Sequence, residues 1–220
     1  MDVEQVEPAR IVILISGSGS NMQAVAEACQ KGDINGQVVA VLSNRPNVLG
    51  LERAAELEIP TQVVDHQDFA TREEFDANMI RAIDEYAPDL VVLAGFMRIL
   101  TPDFVRRFRG RLLNIHPSLL PKHKGLHTHK RALEAGDSEH GVTVHFVTED
   151  LDGGPNAIQA VLKVLDDDTE TSLQKRVQQQ EHVIYPIAVK WFVEGRLTMH
   201  KGDVYLDDKI LPESGVQLRS

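Results

Sequence analysis

At 220 residues, 42% hydrophobic and 25% charged, the chain can build one core and is shorter than the roughly 250–300 residues beyond which domains divide. Its 33 acidic against 23 basic residues, a formal charge of −10, argue against general nucleic-acid binding, whose affinity comes from neutralised phosphates. The lone Cys29 excludes an internal disulfide and a cysteine-based zinc site, and five consecutive apolar residues after a polar start are too few for an export signal or membrane span, so a cytoplasmic protein is expected.

Residues 1–10 read as a disordered stub, residues 11–200 as one domain, and residues 201–220 as a C-terminal hairpin and tail, the hairpin opening near Leu197. Short apolar runs alternate with stretches of helical period, the pattern of a sheet covered on both faces. Strands are predicted over 11–16, 38–43, 61–64, 90–94 and 111–116. In the first connection Met22, Val25, Ala26 and Cys29 recur at helical spacing, and Ser20 with Gln23 reads as a capping box. Further helices are predicted over 49–58, 72–86, 102–108 and 130–136. Beyond residue 139 the pattern changes: 141–148 and 158–165 are two strands joined by a Gly/Pro loop, which predicts antiparallel pairing at one edge of the sheet. A long helix over 172–194 follows, bent at Pro186. The fold class is therefore α/β: a Rossmann-like open, mostly parallel twisted sheet with helices on both faces and an antiparallel edge.

Three segments could carry chemistry. The first strand runs into Gly17-Ser-Gly-Ser-Asn21 and then a helix, an arrangement that offers free backbone N–H groups to an anion. Met22 stands where a dinucleotide fingerprint needs its third glycine, so the choice lies between a plain tight turn and a phosphate site without a dinucleotide. In the strand over 111–116, Asn114 and His116 share one face and Leu113 and Ile115 the other. Polar groups at the C-terminal end of a buried strand lie where open α/β sheets hold ligands. A carboxylate beside His116 would orient its ring and raise its basicity. Asp152, in Leu151-Asp-Gly-Gly-Pro155, is either that group or an ordinary turn residue, and a contact with His116 separates the two. His116, His123, His127 and His129 lack the regular spacing of a metal cluster, and Ser118 lacks a nucleophile elbow.

Gly17-Ser-Gly-Ser-Asn21, Ala94-Gly-Phe-Met-Arg-Ile-Leu100, Asn114-Ile-His-Pro-Ser-Leu-Leu-Pro121, Gly125-Leu-His-Thr-His129 and Leu151-Asp-Gly-Gly-Pro155 together resemble the folate-dependent formyltransferases, in the expected order over roughly residues 10–200. Gln178-Gln-Gln-Glu-His182 and the glycine turn point to the branch whose acceptor is glycinamide ribonucleotide. The resemblance implies formyl transfer from N10-formyltetrahydrofolate, as co-substrate, to the amine of that ribonucleotide in purine synthesis, with no metal. It implies catalysis by Asn114, His116 and Asp152, and ribonucleotide binding by Gly19, Ser20, Asn21, Gln178, Gln179, Gln180 and Glu181. It further implies folate binding by Arg72, Met97, Arg98, Ile99, Leu100 and Asn114, with Thr148, Glu149, Asp150, Leu151 and Asp152. Its partners would be these two small molecules, without nucleic acid or membrane, and the acting unit a monomer or weak homodimer. Ser18, Lys124 and Asn156 depart from the family's usual residues. Relatives that formylate charged tRNA or hydrolyse formyl folate share the fold but add a further domain, and a non-catalytic phosphometabolite sensor would not need Asn114, His116 and Asp152 together.

The charge of −10 is unevenly spread. Residues 98–131 hold nine Lys or Arg against Asp103 alone, which predicts a basic face that steers small anions.

Overall fold

The computed structural model describes residues 7–220. In chain order it contains β1 (Ala9–Ile15), α1 (Ser20–Gln30), β2 (Gly36–Ser43), α2 (Leu49–Glu56), β3 (Thr61–Val63), α3 (Arg72–Asp84), β4 (Leu90–Leu93), α4 (Pro102–Arg107), β5 (Leu112–His116) and α5 (Thr128–Glu134). These are followed by β6 (Glu139–Phe146), β7 (Asn156–Lys163), α6 (Glu170–Val193), β8 (Leu197–His200), β9 (Asp203–Leu206), β10 (Lys209–Ile210) and β11 (Val216–Arg219). Eight strands form the main sheet in the order β11-β7-β6-β5-β4-β1-β2-β3, and β10-β9-β8 form a small antiparallel sheet.

The alternation of side chains in β1 explains its unbroken apolar run. Ile11, Ile13 and Ile15 enter one core with Met22 and Val25 of α1 and Leu173, Val177, Ile184 and Ala188 of α6. Val12 and Leu14 enter a second core with Phe75 and Met79 of α3 and Phe104 of α4. A strand covered on both faces has no polar row, and all five residues are fully buried. Strand order reverses between β1 and β4, both neighbours being parallel to β1. Such a switch point opens a crevice at the C-terminal strand ends, and the glycine turn after β1 and the loop after β4 both leave there.

Several boundaries differ from the sequence reading. β1 begins at Ala9, inside the span 1–10 expected as a stub; residues 1–6 lie outside the described residues. The capping box at Ser20 and Gln23 does not form: Gly19 is the N-cap, in the left-handed region, without a side-chain cap, and Ser20 is already helical. A glycine there already adopts the required φ, so no side-chain oxygen is needed to set the turn. The chain's capping box is instead at α6, between Thr169 and Ser172. α6 runs through Pro186 as one helix. The antiparallel pairing is present as β5-β6-β7, but the sheet edge is β11, parallel to β7. The expected tail over 201–220 therefore contributes a strand to the main sheet; its four residues are mostly exposed, so they carry no apolar signal. Asn156, buried, fastens this segment by donating from Nδ2 to the Glu213 carbonyl at 2.9 Å.

Candidate active site

Asn114 and His116 project from the last turn of pleat in β5, on the face that carries Leu112 into the α3–α4 core. The antiparallel partner of Asn114 is His145 in β6. His145 is completely buried, and burial, the largest influence, lowers its pKa from the ordinary 6.5 to about 4, so the ring is neutral at pH 7. Its Nδ1 lies 2.9 Å from the Phe146 carbonyl, which can only accept, so Nδ1 carries the proton and Nε2 is a lone pair. Asn114 Nδ2, 3.3 Å from that Nε2, donates to it. This fixes the amide orientation and leaves its second N–H free.

His116 Nδ1 stands 3.5 Å from Asp152 Oδ2, both side chains about 8% exposed. Asp152 comes from the β6–β7 loop, with φ 47°, in the left-handed region. Its Oδ2 also accepts from the Gly125 amide at 2.9 Å, so one carboxylate joins the histidine to the loop following β5. His116 Nε2 lies 3.0 Å from the His123 carbonyl and therefore donates to it. Gly154 permits the Asp152 turn: a Cβ there would sit 1.8 Å from the Phe146 carbonyl oxygen. Asp152 thus stands within ion-pair distance of His116 while also serving a turn through the Gly125 amide.

The glycine turn packs onto the start of α2. Gly50 N–H donates to the Gly17 carbonyl at 2.9 Å, and a Cβ on Gly19 would lie 2.6 Å from Gly50 Cα. With no side chain capping α1, the first N–H groups of the helix are open to an anion. α6 lies against this turn. Gln178 Nε2 donates to Ser20 Oγ at 3.3 Å, and Asn21 Nδ2 donates to Glu181 Oε2 at 2.8 Å. Burial raises the Glu181 pKa, opposed by the Asn21 bond; Asn21 Oδ1 is buried without a partner. A groove of about 660 Å³ runs along this junction past Ser20, Gln23, Gln178 and His182. Gln179, expected beside Gln178, is exposed; the helical turn of 100° per residue directs it and Gln180 elsewhere.

Around the trio the loops expose apolar side chains: Met97, Ile99, Leu126 and Leu151 are each more than half accessible. Arg98 is half-buried, its guanidinium 5.3 Å from the Phe75 ring centroid, and its Nε is buried without a partner. Leu100 packs against the second core. Arg72 begins α3 beside Glu73 at 3.7 Å. Thr148 is half-buried and Asp150 exposed, while Glu149 is paired with Arg106 at 3.2 Å. A second cleft, about 440 Å³, lies behind Asp152 and Gly153 against Asp203 and Glu213.

The sequence reading missed His145, which orients Asn114; only strand register brings the two together. It also missed Tyr185, buried in α6, whose hydroxyl reaches the Leu93 and Leu113 carbonyls at 2.7 and 3.1 Å. Three further histidines pair among themselves or with an acid: His129 Nδ1 lies 3.1 Å from His140 Nε2, and His123 Nε2 2.6 Å from Asp137 Oδ2.

An open sheet with an anion-ready turn, an amide–imidazole–carboxylate trio and an apolar rim at one switch point is the architecture of a group-transfer enzyme. The formyl transferase family model matches residues 9–189, and the chain belongs to that family. It is 55% identical over 205 residues, 93% of this chain and 97% of the relative, to phosphoribosylglycinamide formyltransferase from Escherichia coli strain K12. The solved phosphoribosylglycinamide formyltransferase of Coxiella burnetii, in complex with CHES, superposes with a TM-score of 0.93 at 50% identity, over 96% of this chain and 100% of that one. Against the human trifunctional purine biosynthetic protein adenosine-3 the identity is 42% over 191 residues, 87% of this chain and 19% of that protein.

Proposed function

We propose that the protein transfers a formyl group from N10-formyltetrahydrofolate to the glycinamide amine of glycinamide ribonucleotide, as a phosphoribosylglycinamide formyltransferase of purine biosynthesis. The observation that carries this reading is the approach of Asp152 to His116 beside Asn114, in a chain so similar to relatives bearing that name. The ribonucleotide phosphate is held by the backbone at Gly19, Ser20 and Asn21 with Gln178, and its ribose by Glu181; Gln179 and Gln180, turned away from the groove, take no direct part. The folate lies on Met97, Ile99, Leu100 and Leu151, with Arg72 and Arg98 toward its carboxylates, and the backbone of residues 148–152 reads its polar edge. The unpartnered Arg98 Nε and the exposed apolar side chains suit a flat, anionic ligand.

Attack of the amine on the formyl carbon forms the new C–N bond and an oxyanion; collapse of that intermediate breaks the bond to N10, and the proton lost by the amine passes to N10. The free N–H of Asn114 and protonated His116 donate to that oxygen. Asp152 holds the imidazolium and organises proton transfer through water. Donation from His116 Nε2 exchanges the His123 carbonyl for the substrate oxygen. No covalent enzyme intermediate is required. The protein acts in the cytoplasm on small molecules, as a monomer or weak homodimer, since one chain supplies the whole trio; no helix of the described residues is long and apolar enough to cross a membrane. The test offers N10-formyltetrahydrofolate with three acceptors in parallel: glycinamide ribonucleotide, water and charged tRNA. Formylated ribonucleotide is the expected main product, and its absence overturns the reading.

A further inference from the structure

Asp76 is an acid in the wrong place for a surface helix. It lies in α3, 1% exposed, with nothing in the reaction requiring it. Its Oδ2 accepts from the Thr101 backbone N–H at 2.6 Å, and its Oδ1 is buried without a partner. Thr101 is the N-cap of α4 and closes the loop after β4. The neighbouring Phe75, fully buried, lies under the Arg98 guanidinium. Consecutive residues of α3 therefore grip the two ends of the segment from Arg98 to Thr101. Its entry is held too: Met97 N–H donates to Ser16 Oγ at 2.7 Å, and Ser16 Oγ donates to Asn44 Oδ1 at 2.6 Å.

Burying a carboxylate is costly unless other groups compensate. Desolvation raises the Asp76 pKa, opposed by the Thr101 bonds and by the charges of Arg72 and Arg98. Asparagine at this position would accept the same Thr101 bond without the cost of burying a charge. What a carboxylate adds is a charge-assisted bond to the Thr101 N–H, stronger than the one an amide oxygen accepts.

We propose that Asp76 is a positioning residue for formyl folate: its carboxylate anchors the Thr101 end of the loop while the adjacent Phe75 underlies its Arg98 end, and together they hold the segment over 97–100 in the shape that receives the ligand. This rests on the assignment of the loop over 97–100 to folate made above. Asp76 touches neither substrate, so its loss alters folate affinity and spares the chemical step. The experiment measures kcat and both Michaelis constants for the full chain, wild type, Asp76→Asn and Asp76→Ala, with thermal melting as the folding control. With Ala, KM for N10-formyltetrahydrofolate rises about tenfold or more, as for a lost bond to a charged group. With Asn, which keeps the acceptor and loses the charge, it rises about threefold. KM for the ribonucleotide and kcat stay within about twofold of wild type in both. A lower melting temperature with an unchanged folate KM makes Asp76 structural only and overturns the inference; should the Ala variant not fold, the Asn variant decides by the same criterion. Failure of the wild type to transfer formyl from the folate overturns the functional reading itself, an outcome the wild-type arm shows separately.

Discussion

Asp152 has a φ of 47°, a conformation that costs a non-glycine residue of order 1–3 kcal/mol and persists only where its surroundings impose it. Here the imposing contacts are the Gly125 amide and His116. Asp152→Asn keeps the shape and removes the charge that holds an imidazolium, so kcat should fall about 10²–10⁴-fold with the fold intact. Near-wild-type turnover of a folded variant refutes the role. His145 and His140 permit a prediction about stability. Burial, the largest cause in both, lowers each pKa from the ordinary 6.5 to about 4, and in His140 the nearby His129 and His123 lower it further. Between these values the unfolded chain binds protons that the native state refuses, so stability is full above pH 6.5 and declines as pH falls toward 4. Urea midpoints at pH 7.5, 6 and 4.5 should decrease in that order, and His145→Gln should flatten the decline. A midpoint constant across that range contradicts the buried-neutral assignment.

Two elements locate the site by packing alone. The β6–β7 connection folds back over the sheet because Gly154 lies against the Phe146 carbonyl. Gly154→Ala forces that backbone apart and carries Asp152 away from His116, so it should lower kcat about tenfold or more even where the variant folds, a geometric loss far larger than one methyl group implies. α6 acts through Tyr185, whose hydroxyl serves the Leu93 and Leu113 carbonyls of the adjacent strands β4 and β5. Tyr185→Phe leaves buried carbonyls without their donor and should cost about 1–3 kcal/mol in denaturant unfolding; an unchanged midpoint would show that another donor replaces it. That one tyrosine of α6 bridges two adjacent strands has no counterpart in periodicity.

Across the whole molecule, charge illustrates the difference between chain order and space. Four of the nine bases over 98–131 are paired with acids from elsewhere: Arg107 with Asp84, Lys122 with Asp137, Lys130 with Glu134 and Arg106 with Glu149. A residual positive field should still assist capture of two anions, so raising salt from 50 to 500 mM should increase both Michaelis constants by about two- to fivefold, well short of what eight free charges would give. Salt-independent constants would remove steering altogether. The same distinction separates what could be read from the chain from what could not. Local features were legible: apolar runs marked the strands of the main sheet except β11, helical spacing marked the helices, and the glycine turn and Asn114/His116 alternation placed candidate groups at strand ends. These depend on residues within a few positions of each other. The partnerships that make a site depend on register and loop folding between distant segments: Asn114 with His145, His116 with Asp152, Asp76 with Thr101, Asn21 with Glu181, and the last strand with β7. The sequence by itself determined the layered α/β fold and the candidate groups, because periodicity and side-chain chemistry are local. Only the tertiary structure decided which groups meet, because a contact across 36 or 160 residues arises from the packing of the whole chain.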